Sequence, residues 1–371
     1  MYVENLEVKN FRNYELGKVS FMGGTNVIYG RNATGKTNIL EAIFITSIGR
    51  SHRQSKESEL IRFGCNSATI KLNFFSHDKD NLSEIIIKDN QKKQIKINKF
   101  LINKVSQLIG YLNVVIFCPE DINIIKGTPS DRRRFLNLAI SQIKPNYFKI
   151  LADYNRVLIH RNKLLKQNAN YSDISVWDIL LCEYGSQICK YRINYLDEIK
   201  KYFKDIINRI SKEHCEIKYI SGIDNKSDLS FSSFEEIHKL YITNLLKCRE
   251  KDIKYKQTIV GPHKDDLELY VNGSNAKYFG SQGQKKTLVL ALKLSETEII
   301  TQITKELPVL LLDDVLSDLD MHRQNFILDN FKQNQVIITC TDYNKFNIIN
   351  NLHCIDNCID IRTCHEFSGF S

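Results

Sequence analysis

The sequence predicts an α/β protein in which a phosphate-binding lobe is interrupted by a mainly helical lobe. Three observations lead to this prediction: a glycine-rich loop after a short apolar strand, a second apolar strand that ends in two aspartates, and a long stretch of helical periodicity between them. At 371 residues the chain can bury a large core, and its length favours about two domains. We divide it into an ATPase lobe at residues 1–120, an inserted helical lobe at 121–255 and the remainder of the ATPase lobe at 256–371.

The predicted strands come first along the chain. Short runs of apolar and β-branched residues, separated by turns, cover residues 2–8, 16–21, 26–29, 68–75, 84–88, 94–98 and 112–117. Residues 130–209 instead repeat apolar side chains at helical spacing, which predicts a short antiparallel helical hairpin between two sheet-forming portions. Strands at 307–312 and 335–339 flank a helix at 321–332, and parallel strands joined by a helix are typical of an α/β ATPase core.

The glycine-rich loop matches the pattern G-x-x-x-x-G-K-[S/T], known as Walker A. Its glycines let the backbone turn tightly enough to aim several N–H groups at phosphate oxygens, at the start of a helix whose positive dipole end favours anions. Lys36 is expected to reach the β- and γ-phosphates of ATP, and Thr37 to hold Mg²⁺. The predicted ATP-binding residues of the loop are Gly30, Arg31, Asn32, Ala33, Thr34, Gly35, Lys36 and Thr37.

The second motif is the strand that ends in Asp313 and Asp314, a Walker B pattern. It places two carboxylates at the carboxyl edge of a sheet, where open α/β folds bind ligands. We expect Asp313 to hold Mg²⁺ and Asp314 to polarise the attacking water.

A third motif opens the helix before that strand. Ser281, Gln282, Gly283 and Gln284 form a Ser-x-Gly-Gln turn, which predicts a second anion site at a helix N-terminus. A chain with one nucleotide has no need of two such sites unless the second serves the nucleotide of another subunit. The sequence therefore predicts a composite active site and a homodimer.

With these motifs the chain resembles the ABC-type P-loop ATPase heads, built of mixed β-sheets with helices, and among them the RecF family of bacterial DNA-repair proteins. The resemblance extends over nearly the whole chain and rests on the order and spacing of many short motifs. They are residues 10–14, 51–53, 119–121, 126–127, 132–134, 260–266, 281–284, 312–315 and 317–320.

The resemblance implies roles for further residues. Residues 281–284 look like the signature loop that reaches the partner's γ-phosphate, and Ser317, Asp318, Leu319 and Asp320 look like the D-loop that couples the two sites. Arg12 and Asn13 are similar to residues that approach the nucleotide. Glu120 stands where many ABC heads carry the Q-loop glutamine, and Thr339 or Thr341 stands near the usual switch histidine. These two departures suggest slow hydrolysis, suited to a switch.

The resemblance also implies what the switch serves. RecF proteins act in recombinational repair and replication restart, where RecR and RecO help them load RecA near single-strand gaps. We therefore expect ATP and Mg²⁺ as ligands, and duplex, gapped and single-stranded DNA, RecR and a second copy of the chain as partners.

The charge of the chain fits a polyanionic partner. Lysines and arginines number 52 against 43 aspartates and glutamates, a net charge of +9. The candidates for DNA contact are Arg50 and Arg53, which follow the phosphate-loop helix, and Arg132, Arg133 and Arg134 at the start of the helical segment. Arg50 and Arg53 could instead sense the γ-phosphate, because they follow the phosphate-loop helix by only a few residues. A structural or solvent-facing role is the open alternative for each of the five arginines.

Several other functions fit less well. The sequence has no apolar run of membrane-spanning length and no secretory signal, so we expect a cytoplasmic protein without a membrane partner. A nuclease coupled to such a head, of the overcoming-lysogenisation type, would need a larger domain after the D-loop, and a chromosome-organising ATPase would need long coiled-coil arms. A transporter subunit would show the missing glutamine and histidine. One possible metal site, at His353, Cys354, Cys358, Cys364 and His365, matches no common zinc spacing. His263 with Asp265 and Asp266 could form a metal or hydrolase site, but the lack of a third ligand at regular spacing favours a structural or family-specific contact.

Overall fold

The computed structural model describes residues 1–53, 56–224, 229, 232–316, 319–341 and 357–364. The chain divides into two compact units: a sheet unit made of Met1–Glu120 with Glu296–Ser371, and a helical unit made of Asp121–Ser295. The helical unit thus extends past residue 255, the predicted end of the inserted lobe. The reason is that strands on either side of that position pair with each other.

The strands are, in chain order, β1 (Tyr2–Phe11), β2 (Tyr14–Ser20), β3 (Thr25–Tyr29), β4 (Ser67–Ser76), β5 (Lys79–Lys88), β6 (Gln94–Ile97), β7 (Phe100–Ile102), β8 (Val114–Phe117), β9 (Cys215–Ile220), β10 (Asp266–Val271), β11 (Ser274–Asn275), β12 (Val309–Asp313), β13 (Val336–Cys340) and β14 (Asn357–Asp360).

The helices are α1 (Lys36–Ile48), α2 (Asn123–Lys126), α3 (Pro129–Ile143), α4 (Pro145–Lys166), α5 (Tyr171–Ile210), α6 (Phe234–Lys247), α7 (Arg249–Tyr255), α8 (Ala276–Phe279), α9 (Gln282–Thr304) and α10 (Met321–Asn330). Short 3₁₀ turns, such as Pro119–Ile122, connect some of these elements.

The sheet unit holds two sheets of different kinds. One is antiparallel, with strand order β2-β1-β4-β5-β6-β7. Alternate residues of β4, from Ala68 to Phe74, are buried, as expected of a sheet with one face on the core. The other sheet is parallel, with order β14-β3-β13-β12-β8. Every residue of β12 is buried, because helices or other chain cover both faces of a central parallel strand.

The parallel register brings three strand ends to one edge of the sheet. Asp313 at the end of β12 lies opposite Thr339 on β13, and Cys340 lies opposite Tyr29 at the end of β3. The phosphate loop follows β3 and the two aspartates end β12, so the predicted motifs meet at the carboxyl edge. This is the edge at which open α/β sheets bind ligands.

The helical unit is built around a hairpin of α4 and α5. Tyr147 of α4 contacts Tyr191 of α5 edge-to-face, with ring centroids 5.5 Å apart, and His160 of α4 stacks on Trp177 of α5 at 4.9 Å. Residue numbers thus rise along α4 as those of the contacting residues fall along α5. The predicted antiparallel hairpin is therefore present. A small antiparallel sheet of order β11-β10-β9, which the sequence did not predict, completes the unit. No helix in the described part of the chain has the length and hydropathy needed to cross a membrane.

Candidate functional site

The phosphate loop joins β3 to α1 in the sheet unit. Its two flanking glycines have positive φ, +153° at Gly30 and +106° at Gly35, a region that side chains rarely adopt. A Cβ at Gly35 would also lie 2.7 Å from the Asn13 amide nitrogen. Asn13 in turn donates to the Thr34 carbonyl at 3.2 Å. The glycines are thus needed both for the turn and for the close approach of the β1–β2 connection.

Lys36, the invariant lysine of the motif pattern, folds back over the loop. Its ammonium donates to the carbonyl oxygens of Gly30 at 2.6 Å and Arg31 at 2.8 Å. The residue is only 8% exposed. Burial lowers the pKa of the Lys36 ammonium, and the nearby Asp314 and Asp313 carboxylates act against that shift. The charge therefore stands inside the loop, where a bound phosphate would lie.

A single carboxylate oxygen connects the loop helix to the parallel sheet. Asp313 Oδ1 accepts hydrogen bonds from the hydroxyls of Thr37, at 2.9 Å, and Thr339, at 2.8 Å. The Thr339 hydroxyl also accepts from the Asp314 backbone N–H at 3.0 Å. Burial raises the pKa of the Asp313 carboxyl, while the two hydroxyl bonds oppose the rise. Asp313 and Thr37 are the pair of oxygen ligands that Mg²⁺ takes at P-loop sites, so these residues fit that ion.

Two further predicted groups lie close enough to act on Asp313 electrostatically. The charge of Glu120 raises the pKa of the Asp313 carboxyl, and the charge of Arg53 lowers it. Glu120 is exposed on the turn after β8, the strand that pairs with β12. Asp314 is half-buried and has a positive φ of 52°. The sheet edge thus collects a lysine, an arginine and three carboxylates.

Arg12 is held by a glutamate that the motif analysis did not single out. Its guanidinium donates two hydrogen bonds to the Glu41 carboxylate, at 2.9 Å and 2.7 Å, and one to the Glu59 carbonyl at 2.9 Å. The Glu41 carboxylate is fully buried in α1 and also accepts from the Ser51 hydroxyl at 2.5 Å. Burial alone would raise the pKa of the Glu41 carboxyl, but the bonds from Arg12 and Ser51 hold it below its ordinary value.

Arg53 belongs to the same cluster. Its guanidinium lies 3.9 Å from the Glu41 carboxylate and 3.4 Å from the Asn38 side-chain oxygen, and Asn38 donates to Asn13 at 2.8 Å. Arg50, three residues earlier in the chain, is exposed. Of the two arginines proposed for DNA contact after α1, one therefore faces the nucleotide loop and the other faces solvent.

The D-loop is only partly within the described chain. Ser317 and Asp318 lie outside the described residues. Asp320 caps α10: its carboxylate accepts from the Arg323 backbone N–H at 3.0 Å and pairs with the Arg323 guanidinium. The Leu319 carbonyl accepts from Gln324 at 2.9 Å. Asp320 therefore serves as the N-cap of α10.

The signature residues lie in the helical unit and form a reciprocal helix cap. The Ser281 hydroxyl accepts from the Gln284 backbone N–H at 3.1 Å, and the Ser281 N–H donates to the Gln284 side chain at 2.8 Å. Ser281 and Gln282 are exposed, and Gly283 is half-buried. The Gln284 amide also donates to Glu213 at 2.7 Å. The predicted helix N-terminus is present with its serine at the surface.

The arginine triplet of α3 corrects one prediction. Arg132 is 4% exposed, and its guanidinium makes a bidentate pair with Asp266 at 2.6 Å and 3.0 Å. Arg133 is half-buried and donates to the Asp265 carbonyl at 2.8 Å; burial lowers the pKa of its guanidinium. Arg132 is therefore removed from the DNA-contact candidates, because it is committed to pairing α3 with β10. Arg134 is half-buried and stays a candidate.

The possible metal site at His263, Asp265 and Asp266 is structural. His263 accepts from the Tyr154 hydroxyl at 2.6 Å and donates to the Thr258 carbonyl at 3.0 Å. The Asp265 carboxylate is fully buried and pairs with Arg192. Neither side chain faces a metal site. The described residues hold no group of three or more metal-ligating side chains, and His353, Cys354 and His365 of the other possible site lie outside them.

Two residues that hydrogen-bond predicted site residues, Glu41 and Glu213, were not predicted from the sequence, and only Glu41 had a local signal. Glu41 interrupts the apolar run of α1, where a charge inside a buried helix face calls for an arginine partner. Glu213 has no comparable local signal, because its partner Gln284 lies 71 residues away. Thr341, the second candidate for the switch position, is exposed, so Thr339 alone reaches Asp313.

Comparison with protein families places this geometry among known proteins. The family model described as the RecF/RecN/SMC N terminal domain matches residues 2–359. A protein of Lachnospira eligens named DNA replication and repair protein RecF is 42% identical over 373 residues, covering 98% of this chain and 99% of the relative. A protein of the same name from Acetivibrio thermocellus is 44% identical, covering 93% and 95% of the two chains.

Solved structures agree. A RecF structure with ATP, described as a recombination mediator protein of the RecFOR pathway, superposes with a TM-score of 0.87 at 41% identity and covers 92% of both chains. The Smc head domain of Pyrococcus furiosus, bound to the C-terminal domain of ScpA, superposes with a TM-score of 0.50 at 17% identity over 92% of this chain and 90% of that one. The second likeness bears on the fold alone, and it agrees with the ABC-type head predicted from the motifs.

Proposed function

This chain belongs to the RecF family, and from that membership and the geometry of its phosphate loop we propose that it is an ATP-dependent DNA-binding switch of DNA repair and replication restart. ATP binding closes two copies into a dimer on duplex or gapped DNA, and hydrolysis reopens it. Relatives named DNA replication and repair protein RecF and a RecF structure with ATP support the proposal.

One observation carries the nucleotide part of the proposal: the shared hydrogen bonds of Thr37 and Thr339 to Asp313. A glycine loop alone indicates only a turn. Here the threonine of the loop also lies 2.9 Å from the carboxylate that ends β12, a strand of the same parallel sheet. Proteins that bind and hydrolyse nucleoside triphosphates combine a loop threonine and a strand-end aspartate in this way.

The residues divide the work at the phosphates. Backbone N–H groups of residues 30–37 and the Lys36 ammonium bind the β- and γ-phosphates, and Thr37 and Asp313 hold Mg²⁺. Held by these residues, the ion would neutralise negative charge on the β- and γ-phosphates. Asp314 accepts a proton from the water that forms the new oxygen–phosphorus bond, while the bond between the γ-phosphorus and the ADP oxygen breaks. Glu120 orients that water, and Arg12 and Asn13 position the loop from the β1–β2 connection.

The second half of the site comes from the partner copy. Ser281 and Gln284 present a capped helix N-terminus with an exposed serine, which suits an anion. In the dimer Ser281, Gly283 and Gln284 contact the γ-phosphate held by the partner's phosphate loop, and residues 317–320 couple the two sites. The ATP-binding site is thus complete only in the dimer, where the second chain supplies its signature residues.

The switch serves partners that the family shares. We expect it to bind duplex, gapped and single-stranded DNA and to act with RecR and RecO in loading RecA. Hydrolysis should be slow, below about 10 per second with DNA, which is the median for enzymes. The reason is that Glu120 and Thr339 occupy positions where faster ABC heads carry a glutamine and a histidine.

The decisive experiment follows molecular mass. Light scattering of the wild type and of Asp314→Asn should show monomers with ADP and dimers with ATP, with the dimer of the variant persisting because hydrolysis is blocked. Lys36→Ala is the matched control, since it should bind ATP weakly and stay monomeric. A wild type whose mass is the same with ADP, with ATP, with a non-hydrolysable analogue and with added duplex DNA would refute the dimer switch. Normal hydrolysis by Asp314→Asn would refute its catalytic role.

A further inference from the structure

A groove of about 500 Å³ crosses the surface of the helical unit between the end of α5 and β9. Lys200 and Lys204 stand one helical turn apart on α5, so they share one face of that helix. Lys212 and Lys218 stand on the opposite side, before and within β9. We call this the lysine groove, defined by these four residues.

The lysines of the groove have few acidic partners. Lys200 lies 3.4 Å from Asp197, but both side chains are more than 40% exposed, so this ion pair contributes little binding energy. Over the described ranges, no carboxylate lies within 4.0 Å of the ammonium groups of Lys204, Lys212 and Lys218. Lys218 is placed over the Tyr270 ring at 4.6 Å.

The acids of the groove are already engaged. Glu213 accepts from the Gln284 amide at 2.7 Å, and Glu216 lies 3.0 Å from His214. Four lysines against two glutamates leave a local excess of two positive charges. The excess is open to solvent, because Lys200, Lys204, Lys212 and Lys218 are all exposed.

The floor of the groove shows what kind of ligand it suits. Phe203, Ile207 and Ile217 line it, but they are only 2%, 1% and 6% exposed, because they belong to the core between α5 and β9. These three side chains therefore offer little surface to an inserted apolar side chain. The groove also offers ammonium groups on its α5 and β9 sides and the Asn208 amide, which are usual contacts of nucleic-acid phosphates.

We propose that the lysine groove binds the phosphate backbone of DNA. The inference rests on the proposed DNA-binding function and adds a location for it. Its position has a consequence: Glu213, next to Lys212 on the groove wall, is hydrogen-bonded to Gln284 of the signature turn. A phosphate bound by Lys212 would thus lie next to Glu213, the residue that accepts the hydrogen bond from Gln284 of the signature turn.

The test compares two triple variants of the full chain. Lys204→Ala, Lys212→Ala and Lys218→Ala together remove three charges from the groove. Lys149→Ala, Lys163→Ala and Lys239→Ala remove three exposed lysines of the same unit that do not line it. Affinity for a fluorescent 30-base-pair duplex is measured by anisotropy with ATP between 50 and 300 mM salt, after circular dichroism has shown that each variant is folded.

Each phosphate contact contributes about 0.9 to the slope of log affinity against log salt. For the groove variant the magnitude of that slope should therefore be smaller by about 2 to 3, and its affinity for the duplex at 100 mM salt should be about tenfold or more weaker. The control variant should keep most of the wild-type slope and affinity. A groove variant that matches the control in slope and affinity would overturn the proposal and leave the DNA-binding function standing. A wild type that binds no duplex would overturn both.

A competitor distinguishes nucleic acid from an acidic protein. Polyglutamate of 20 residues should displace the duplex only at concentrations far above those of unlabelled DNA. If polyglutamate binds the wild type more tightly than duplex DNA does, and loses that affinity in the groove variant alone, the groove is a protein-binding site and the proposal is wrong.

Discussion

Removal of the buried Glu41 carboxylate should loosen the sheet unit around the phosphate loop. In the wild type this carboxylate, fully buried, receives two bonds from Arg12 and one from Ser51. Glu41→Ala leaves the Arg12 guanidinium, 18% exposed, without its anion. Breaking a buried ion pair on one side costs about 3 to 5 kcal/mol. Glu41→Gln keeps the shape but loses the charge, so its cost should be smaller, about 2 kcal/mol.

The assay must report on one unit, because a chain of two units need not unfold in one step. Amide hydrogen exchange in α1 reports the sheet unit. Fluorescence of Trp177, the single tryptophan, reports the helical unit. Glu41→Ala should speed exchange in α1 roughly a hundredfold to several thousandfold, since each 1.4 kcal/mol is about a factor of ten. The urea midpoint of Trp177 fluorescence should not move.

A matched control and a pH series sharpen the test. Glu57, 51% exposed and paired with Lys93 in the same unit, should change stability by less than about 1 kcal/mol when replaced by alanine. The folded pKa of Glu41 is depressed, so its stabilisation is complete above its ordinary pKa of 4.5 and disappears as pH falls through the lower folded value. Wild type and Glu41→Gln should therefore converge in strong acid. Exchange in Glu41→Ala within tenfold of the wild type at pH 7 would refute the reasoning.

Three further predictions concern other contacts. Burial lowers the pKa of His263 from 6.5 to about 4, so the unfolded state binds a proton that the folded state does not as pH falls from 6.5 to 4. The helical unit should therefore lose roughly 2 to 3 kcal/mol of its free energy of unfolding over this range. The Trp177 urea midpoint should fall accordingly in the wild type and stay flat in His263→Gln. Gly35→Ala, with a Cβ 2.7 Å from an Asn13 nitrogen at a φ of +106°, should abolish binding of a fluorescent ATP analogue while Trp177 unfolding is unchanged. Thr339→Val removes one of the two hydroxyl bonds to Asp313 and should raise the Mg²⁺ concentration for half-maximal hydrolysis about tenfold or more, a shift that is absent if Thr339 only packs.

The parts of the fold that the sequence predicts well are those with local signals. The strand before the phosphate loop, the strand that ends in Asp313 and the helical hairpin each show their periodicity within one segment. The strands β9 and β10 also alternate polar and apolar residues, but nothing local to either strand predicts that they pair. β9 and β10 pair Ile220 with Asp266, 46 residues apart, and only the folded unit brings them together.

The partners of charged residues are equally hard to predict from sequence, because they too are distant along the chain. The sequence places Arg132 at the start of a helix but cannot say which way it faces, because its partner Asp266 is 134 residues away. An arginine run at a helix start is therefore equally compatible with DNA contact and with a buried pair. Burial decides between these two roles for Arg132. Burial also identifies Glu41 as important, because its carboxylate accepts hydrogen bonds from Arg12 and Ser51 although it belongs to no motif.

The hydrogen bonds of Asp313 suggest what Thr339 would contribute if it stands in place of the switch histidine. Mg²⁺ held between Thr37 and Asp313 would take the place of their direct 2.9 Å bond, so the Thr37 hydroxyl could no longer orient the carboxylate. Thr339 would then be the side chain that keeps Asp313 aimed, through its 2.8 Å bond, while its oxygen still accepts the Asp314 N–H. One hydroxyl thus aligns both aspartates from β13 without a titratable group. A residue in this position that orients the metal ligand but offers no proton to the phosphate favours tight ATP binding over rapid turnover.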